Sequence, residues 1–298
     1  MHELVFTTRT TLPTRTPDVL DRNQTLLSSA EGYVYKTVDG ADLGAYVFRP
    51  PSPPPPTGWP AAFFFFSSSW DSGLVSQFAP HALYLISRGM ASVLVDYRVG
   101  SRHPGATPHD AMEDARSVIR WGRENAAELR FDPSRFAGIG GSAGAHAILS
   151  AAILRKFRDF PGENPSIPCS PNLLILFSPV TETSPRGGVP ADRFASPSDA
   201  RDANLLLHVR KRLPPTLIFH GTADRVVPFA SSKRFVSRNW WRRNPCRLRS
   251  FEGKGHGFFN FNVDVRNYEI TLTEIDAFLV EFGFLPPNPE DDGVPRLS

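Results

Sequence analysis

The sequence predicts an α/β fold: one mixed, mostly parallel sheet of about eight strands with helices on both faces. Three observations predict it. Short apolar runs without alternation, at 61–66, 92–97, 136–139, 173–177 and 216–219, suit strands buried on both faces of a parallel sheet. Helix-patterned stretches at 77–88, 109–129, 143–157 and 231–242 fall between those runs, and such alternation calls for right-handed crossovers. Ahead of them, two alternating segments at 32–37 and 43–49 flank Asp39-Gly40, a hairpin signal that adds an antiparallel margin.

In chain order, residues 1–30 are polar, Thr-rich and unpatterned and form an irregular lead-in. After the hairpin, the proline run at 50–56 cannot pair as a strand and makes a stiff surface loop. Residues 31–285 then read as a single domain, interrupted at 180–205 by a Pro-, Ser-, Asp- and Gly-rich stretch that looks like an insertion, or lid, over one face. A further strand-like run covers 246–251, and the tail at 286–298 is loose.

Composition bounds the function. With 298 residues, 41% hydrophobic and 21% charged, the chain is long enough for a large buried core and too apolar for wholesale disorder. Its longest purely apolar stretches run five or six residues, far short of the roughly 18 of a membrane span. A net charge of +3, from 33 Lys and Arg against 30 Asp and Glu, argues against nucleic acid as the main partner. Two cysteines, Cys169 and Cys246, give no disulfide framework and no metal-ligand spacing, and are read as buried or half-buried thiols rather than a bridge. The first twenty residues lack an apolar core of the kind a secretory signal needs, so a cytoplasmic location is the default.

The strongest local feature is Gly140-Gly141-Ser142-Ala143-Gly144, between an apolar run and an Ala-rich helical stretch. A serine on a sharp strand-to-helix turn needs small residues two before and two after it, and the turn lifts its hydroxyl above the carboxyl edge of the sheet. The helix start then puts partial positive charge where an oxyanion would form. A serine becomes a nucleophile only with a base and an orienting acid, which in this fold class follow it in the order acid, histidine. Asp224 lies just after the strand at 216–219, and His256 lies in Gly253-Lys254-Gly255-His256-Gly257 just after the strand at 246–251, so both leave the same sheet edge as Ser142. Glu252 is a second choice for the acid. Among the rival histidines, His146 is expected to face the packed sheet, His220 to hydrogen-bond a neighbouring loop, and His103 and His109 to border the site or be solvated. His81 and His208 have helical surroundings and no acid in view. Oxyanion donors are expected from the N–H of Ala143 and from the loop after the first parallel strand, Ser67-Ser68-Ser69-Trp70, with Ser68 and Ser69 as donors and Trp70 beside substrate.

These motifs, with Asp96-Tyr97-Arg98, 220–229 and 255–260, resemble the α/β-hydrolase superfamily, in its esterase/lipase branch of acetyl-xylan-esterase-like and hormone-sensitive-lipase-like enzymes. The resemblance covers roughly residues 32–285. It implies an α/β-hydrolase fold, Ser142 as nucleophile, His256 as general base and acid, Asp224 as its partner, and no cofactor. It further implies an ester substrate, small-molecule or carbohydrate; the expectation of small acyl groups such as acetyl comes instead from the serine loop, whose hydroxyls would narrow the acyl pocket. One departure stands out: the branch carries His-Gly-Gly or Gly-Gly-Gly where this chain has Ser67-Ser68-Ser69. Three serines keep the N–H donors at about 1 kcal/mol for each residue forced to positive φ. Their hydroxyls either narrow the acyl pocket, donate to the oxyanion themselves, or spoil the hole. The last outcome would leave a binding protein on a hydrolase fold; a serine peptidase is the other alternative. Finally, Arg238-Asn239-Trp240-Trp241-Arg242-Arg243 reads as a helix end with its aromatics on the sheet, or else as a binding surface for sugars or a partner chain.

Overall fold

The hairpin opens the fold as expected: β1 (Glu31–Val38) pairs antiparallel with β2 (Ala41–Phe48) around Asp39 and Gly40, both at positive φ. Six further strands follow: β3 (Trp59–Phe65), β4 (Ala91–Val95), β5 (Phe131–Gly141), β6 (Leu173–Phe177), β7 (Thr216–Gly221) and β8 (Cys246–Phe251). They form one eight-stranded sheet in the order β1-β2-β4-β3-β5-β6-β7-β8. Only the β1/β2 and β2/β4 pairings are antiparallel. The computed structural model describes residues 25–189 and 191–288. Most of the expected lead-in and most of the tail therefore lie outside the described residues.

The helices are α1 (Ala79–Ser87), α2 (Pro108–Glu124), α3 (Ala126–Leu129), α4 (Ser142–Ile153), α5 (Pro197–Asp202), α6 (Phe229–Trp241) and α7 (Val265–Glu281). α2 packs on α4 and α6 covers β7 and β8. α1 and α7 meet each other elsewhere, where Tyr84 and Arg88 both donate to Asp276. Between the layers, β3 puts Phe63, Phe64, Phe65 and the following Phe66 at 2% exposure or less, as a strand covered on both faces requires. α2 starts cleanly because Thr107 and Asp110 form a reciprocal capping box ahead of Pro108.

Three expectations need correction. The sequence pattern gives no helix at 265–281, yet α7 has 17 residues. Its buried positions include Tyr268, Thr271, Leu272, Ile275, Phe278 and Leu279, a helical spacing masked by β-branched and polar neighbours. The helix after Ser142 stops at Ile153 rather than near 157, because Arg116 takes the Leu154 carbonyl (3.2 Å) and the Asp159 carboxylate (2.7 Å) and draws the chain away. Trp240 and Trp241 do not pack on the sheet; they are 69% and 73% exposed and touch each other edge to face at 5.0 Å. Cys169 and Cys246, by contrast, are half-buried free thiols as expected.

Candidate active site

The carboxyl edge of the sheet collects the predicted residues from three strands. Asp224 follows β7 and His256 follows β8, and the two loops are stitched together before their side chains meet. Thr222 N–H donates to Phe251 O (2.9 Å), Ala223 N–H to Lys254 O (3.0 Å), and Gly253 N–H to Thr222 Oγ1 (2.9 Å). With the loops so joined, His256 Nδ1 lies 2.7 Å from Asp224 Oδ2. The other carboxylate oxygen accepts from Val226 N–H (2.8 Å) and Val227 N–H (2.9 Å), and His220 Nε2 lies 3.2 Å from Oδ2. Burial alone would raise the Asp224 carboxyl; the hydrogen bonds from His220, His256 and Val227 overcome it and hold the group well below the usual carboxylate range. Asp224 is thus a fixed anion at Nδ1, which leaves Nε2 as the ring's basic nitrogen.

Ser142 stands at the β5–α4 turn with φ +52. The flanking glycines are dictated by contact: a Cβ on Gly144 would lie 2.3 Å from Phe66 O, and one on Gly140 would lie 2.8 Å from Ala145 N. No side chain caps the start of α4, so its first-turn N–H groups, Ala143 among them, have no side-chain acceptor beside Ser142. The segment after β6 ties the serine to the histidine loop. Val180 N–H donates to Ser142 O (3.4 Å), and Ser178 Oγ donates to His256 O (3.4 Å). Among the described residues there is no hydrogen bond between Ser142 Oγ and His256. Such bonds are commonly long until substrate is bound.

The third wall is the loop after β3. Ser67 N–H is taken by Gln77 Oε1 (2.6 Å) and Trp70 N–H by Ser68 Oγ (3.0 Å), while the N–H groups of Ser68 and Ser69 have no acceptor among the described residues. Tyr97 Oη lies 2.6 Å from Phe66 O and 2.8 Å from Ser68 Oγ, so the Ser68 hydroxyl is engaged within the scaffold. Ser69 and Trp70 carry the positive φ values, +51 and +59, that a glycine run would take at no steric cost. Trp70 is buried edge-on against His146 and Phe194, and its Nε1 has no partner among the described residues.

The Prolyl oligopeptidase family sequence profile matches residues 76–281 of this chain, which span the elbow, the Asp224–His256 pair and Gln77. The chain belongs to the prolyl oligopeptidase family. Within that α/β-hydrolase family it sits on the esterase/lipase branch. Thermogutta terrifontis esterase 2 phosphoramylated by tabun is 41% identical, with TM-score 0.83 over 88% of this chain and 98% of that one. Propionate- and butyrate-bound forms of the same esterase match at 40% identity and TM-score 0.81, over 88% of this chain and 97% of theirs. Esterase LipC of Mycobacterium tuberculosis is 26% identical over 58% of this chain and 46% of its own length. The chain thus spans under half the length of that curated relative.

For this prolyl oligopeptidase family member, the rival histidines sort by their surroundings. The expectation for His146 is corrected: it faces Ala203 O (2.8 Å) and Trp70 rather than the sheet, so it joins α4 to the 180–205 segment. His220 bonds the neighbouring loop at Val227 O (3.0 Å) and Ser232 Oγ (2.8 Å), and also meets Asp224. His109 stacks on Phe157, and His81 is boxed by Phe78, Phe177 and Tyr268. Sequence reasoning misses Gln77, which grips Ser67 N–H and donates to Asn260 Oδ1 (2.9 Å) in the histidine loop. Its only sequence signal is an amide in an otherwise apolar stretch.

Proposed function

We propose that the protein hydrolyses carboxylic esters of short acyl groups through an acyl-enzyme on Ser142. The Asp224–His256 pair beside an uncapped serine elbow carries this reading. His256 Nε2 takes the Ser142 proton as the hydroxyl attacks the carbonyl, and returns it to the leaving alcohol; a water then repeats the sequence to free the acid. Asp224 fixes the tautomer and balances the imidazolium. The N–H groups of Ala143, Ser68 and Ser69 receive the oxyanion, and Trp70 walls the substrate pocket.

The small-acyl preference is supported by the propionate- and butyrate-bound relatives. On the alcohol side, the sequence resemblance favours acylated carbohydrate. The same reading takes residues 31–285 as one hydrolase domain and 180–205 as the cover of its pocket. Esterase rather than peptidase action is favoured by the esterase relatives that align over 88% of the chain.

The test is a p-nitrophenyl ester series from acetate to octanoate, with acetylated xylo-oligosaccharide and a prolyl p-nitroanilide alongside. The expected outcome is fastest turnover at the short end, no anilide cleavage, and a loss of about a thousandfold or more in Ser142→Ala. Activity surviving in that variant, or no labelling of Ser142 by a fluorophosphonate, would overturn the proposal.

A further inference from the structure

An exposed aromatic and basic cluster that the candidate site does not account for lies at the opposite edge of the sheet from the catalytic loops. α6 runs back from the Asp224 loop and ends at Trp240 and Trp241 near the start of the last two strands, where Thr216 N–H donates to Pro245 O (2.9 Å). Both indoles project into solvent at 69% and 73% exposure. Arg242 and Arg243 follow them directly. Asn244 then bonds Arg210 O (2.7 Å) and Leu213 N–H (3.2 Å), which brings Lys211 and Arg212 to the same end. All four of these cations are exposed, and none has a carboxylate partner among the described residues. Leu207, 47% exposed, lies on the neighbouring turn that Arg238 holds through Leu206 O (3.0 Å).

We propose that this helix end is a docking surface for an anionic lipid membrane, with Trp240 and Trp241 seated at headgroup depth and Lys211, Arg212, Arg242 and Arg243 on the lipid charges. Consecutive helical residues diverge by roughly 100°, and the two indoles, though they touch edge to face at 5.0 Å, leave the side of α6 in different directions. Approached end-on, however, the last turn of a helix presents both to a fluid plane. Indole rings favour that interface, and each Lys or Arg near an anionic surface adds attraction. Charge complementarity selects an anionic surface over a neutral one. Docking in this pose turns the catalytic edge toward solution, so it places the enzyme at a membrane without requiring a membrane substrate. The proposal stands independently of the esterase reading.

The test is co-sedimentation of the full chain with phosphatidylcholine vesicles with and without phosphatidylglycerol, read together with tryptophan emission. Trp59, Trp70 and Trp121 are buried, so a blue shift on binding reports Trp240 and Trp241. The expected result is binding only to the anionic vesicles, weakened by salt, with a blue shift. Arg242→Ser with Arg243→Ser lowers it about thirtyfold. Trp240→Ser with Trp241→Ser lowers co-sedimentation with the anionic vesicles by about tenfold or more, and both double variants keep the wild-type melting temperature and p-nitrophenyl acetate turnover. No binding, equal binding to both vesicles, tighter binding to a single-stranded oligonucleotide, or a solution dimer that the tryptophan variant dissociates would each overturn the lipid assignment.

Discussion

Four of the eight non-glycine residues with positive φ among the described residues, Ser69, Trp70, Ser142 and Ser178, stand at the carboxyl edge of the sheet. Each costs on the order of 1–2 kcal/mol relative to a right-handed conformation, and such strain persists only where surrounding contacts over-determine it. At Ser142 those contacts are the close approaches of Gly140 and Gly144. Gly144→Ala is therefore expected to destabilise the fold by about 3 kcal/mol and to abolish turnover, because its Cβ would collide with two carbonyl oxygens, of Phe65 and Phe66. Urea unfolding and ester hydrolysis check both. At Ser69 the strain serves no side-chain bond, so Ser69→Gly should stabilise by about 1 kcal/mol and leave turnover within a few-fold. Ser68→Gly should act in the opposite direction, since Ser68 Oγ accepts Trp70 N–H and meets Tyr97. A rise of orders of magnitude on acetyl esters in the Ser68 and Ser69 double glycine variant would mean that the native oxyanion loop is compromised.

At the scale of elements, the loops of the candidate site are set against one another by side-chain hydrogen bonds. Gln77, in the turn before α1, bonds the β3 loop at Ser67 and the β8 loop at Asn260. Its backbone neighbours belong to neither loop, so it acts as a positioning residue. Gln77→Ala is expected to lower kcat by about tenfold with KM nearly unchanged, because the donors at Ser68 and Ser69 lose their register with Ser142. Gln77→Glu keeps the acceptor for Ser67 N–H but loses the donor to Asn260, and should fall between. A parallel drop in melting temperature that accounts for the whole loss would leave Gln77 a merely structural residue. The 180–205 segment is tethered similarly, by His146 on Ala203 O and by Phe194 on Trp70.

For the whole molecule, the buried histidines make stability depend on pH. Burial pushes His81 down to about 3, and His146 down to about 4. The folded state keeps both neutral while the unfolded chain takes up protons below about 6.5, so their contribution is intact above that pH and falls away as the pH drops toward 3. His81→Phe, which suits the aromatic box, should shrink the stability gap between pH 7 and pH 4.5 by about 3 kcal/mol, measured by urea unfolding at each pH. An unchanged gap would mean that His81 is solvated or paired in solution. Among the described residues no helix is long and apolar enough to cross a membrane, and docking through Trp240 and Trp241 needs none.

Much of this protein is legible from local pattern alone. The hairpin at Asp39-Gly40, the five buried apolar runs, and the glycine-flanked Ser142, Asp224 and His256 are signals carried within a few residues, and the backbone propensities they express act locally. What folding alone decides are the partners brought from far along the chain. Gln77 meets Asn260 across 183 residues, His146 meets the Ala203 carbonyl across 57, and Ser178 reaches the His256 carbonyl across 78. Amphipathic α7 is hidden in the sequence because its buried stripe is mixed with Thr and Asp that only tertiary packing makes interior. Trp240 and Trp241 defy their pattern for the converse reason: hydrophobicity says what gains by burial, but the direction in which α6 ends determines whether anything is there to bury it.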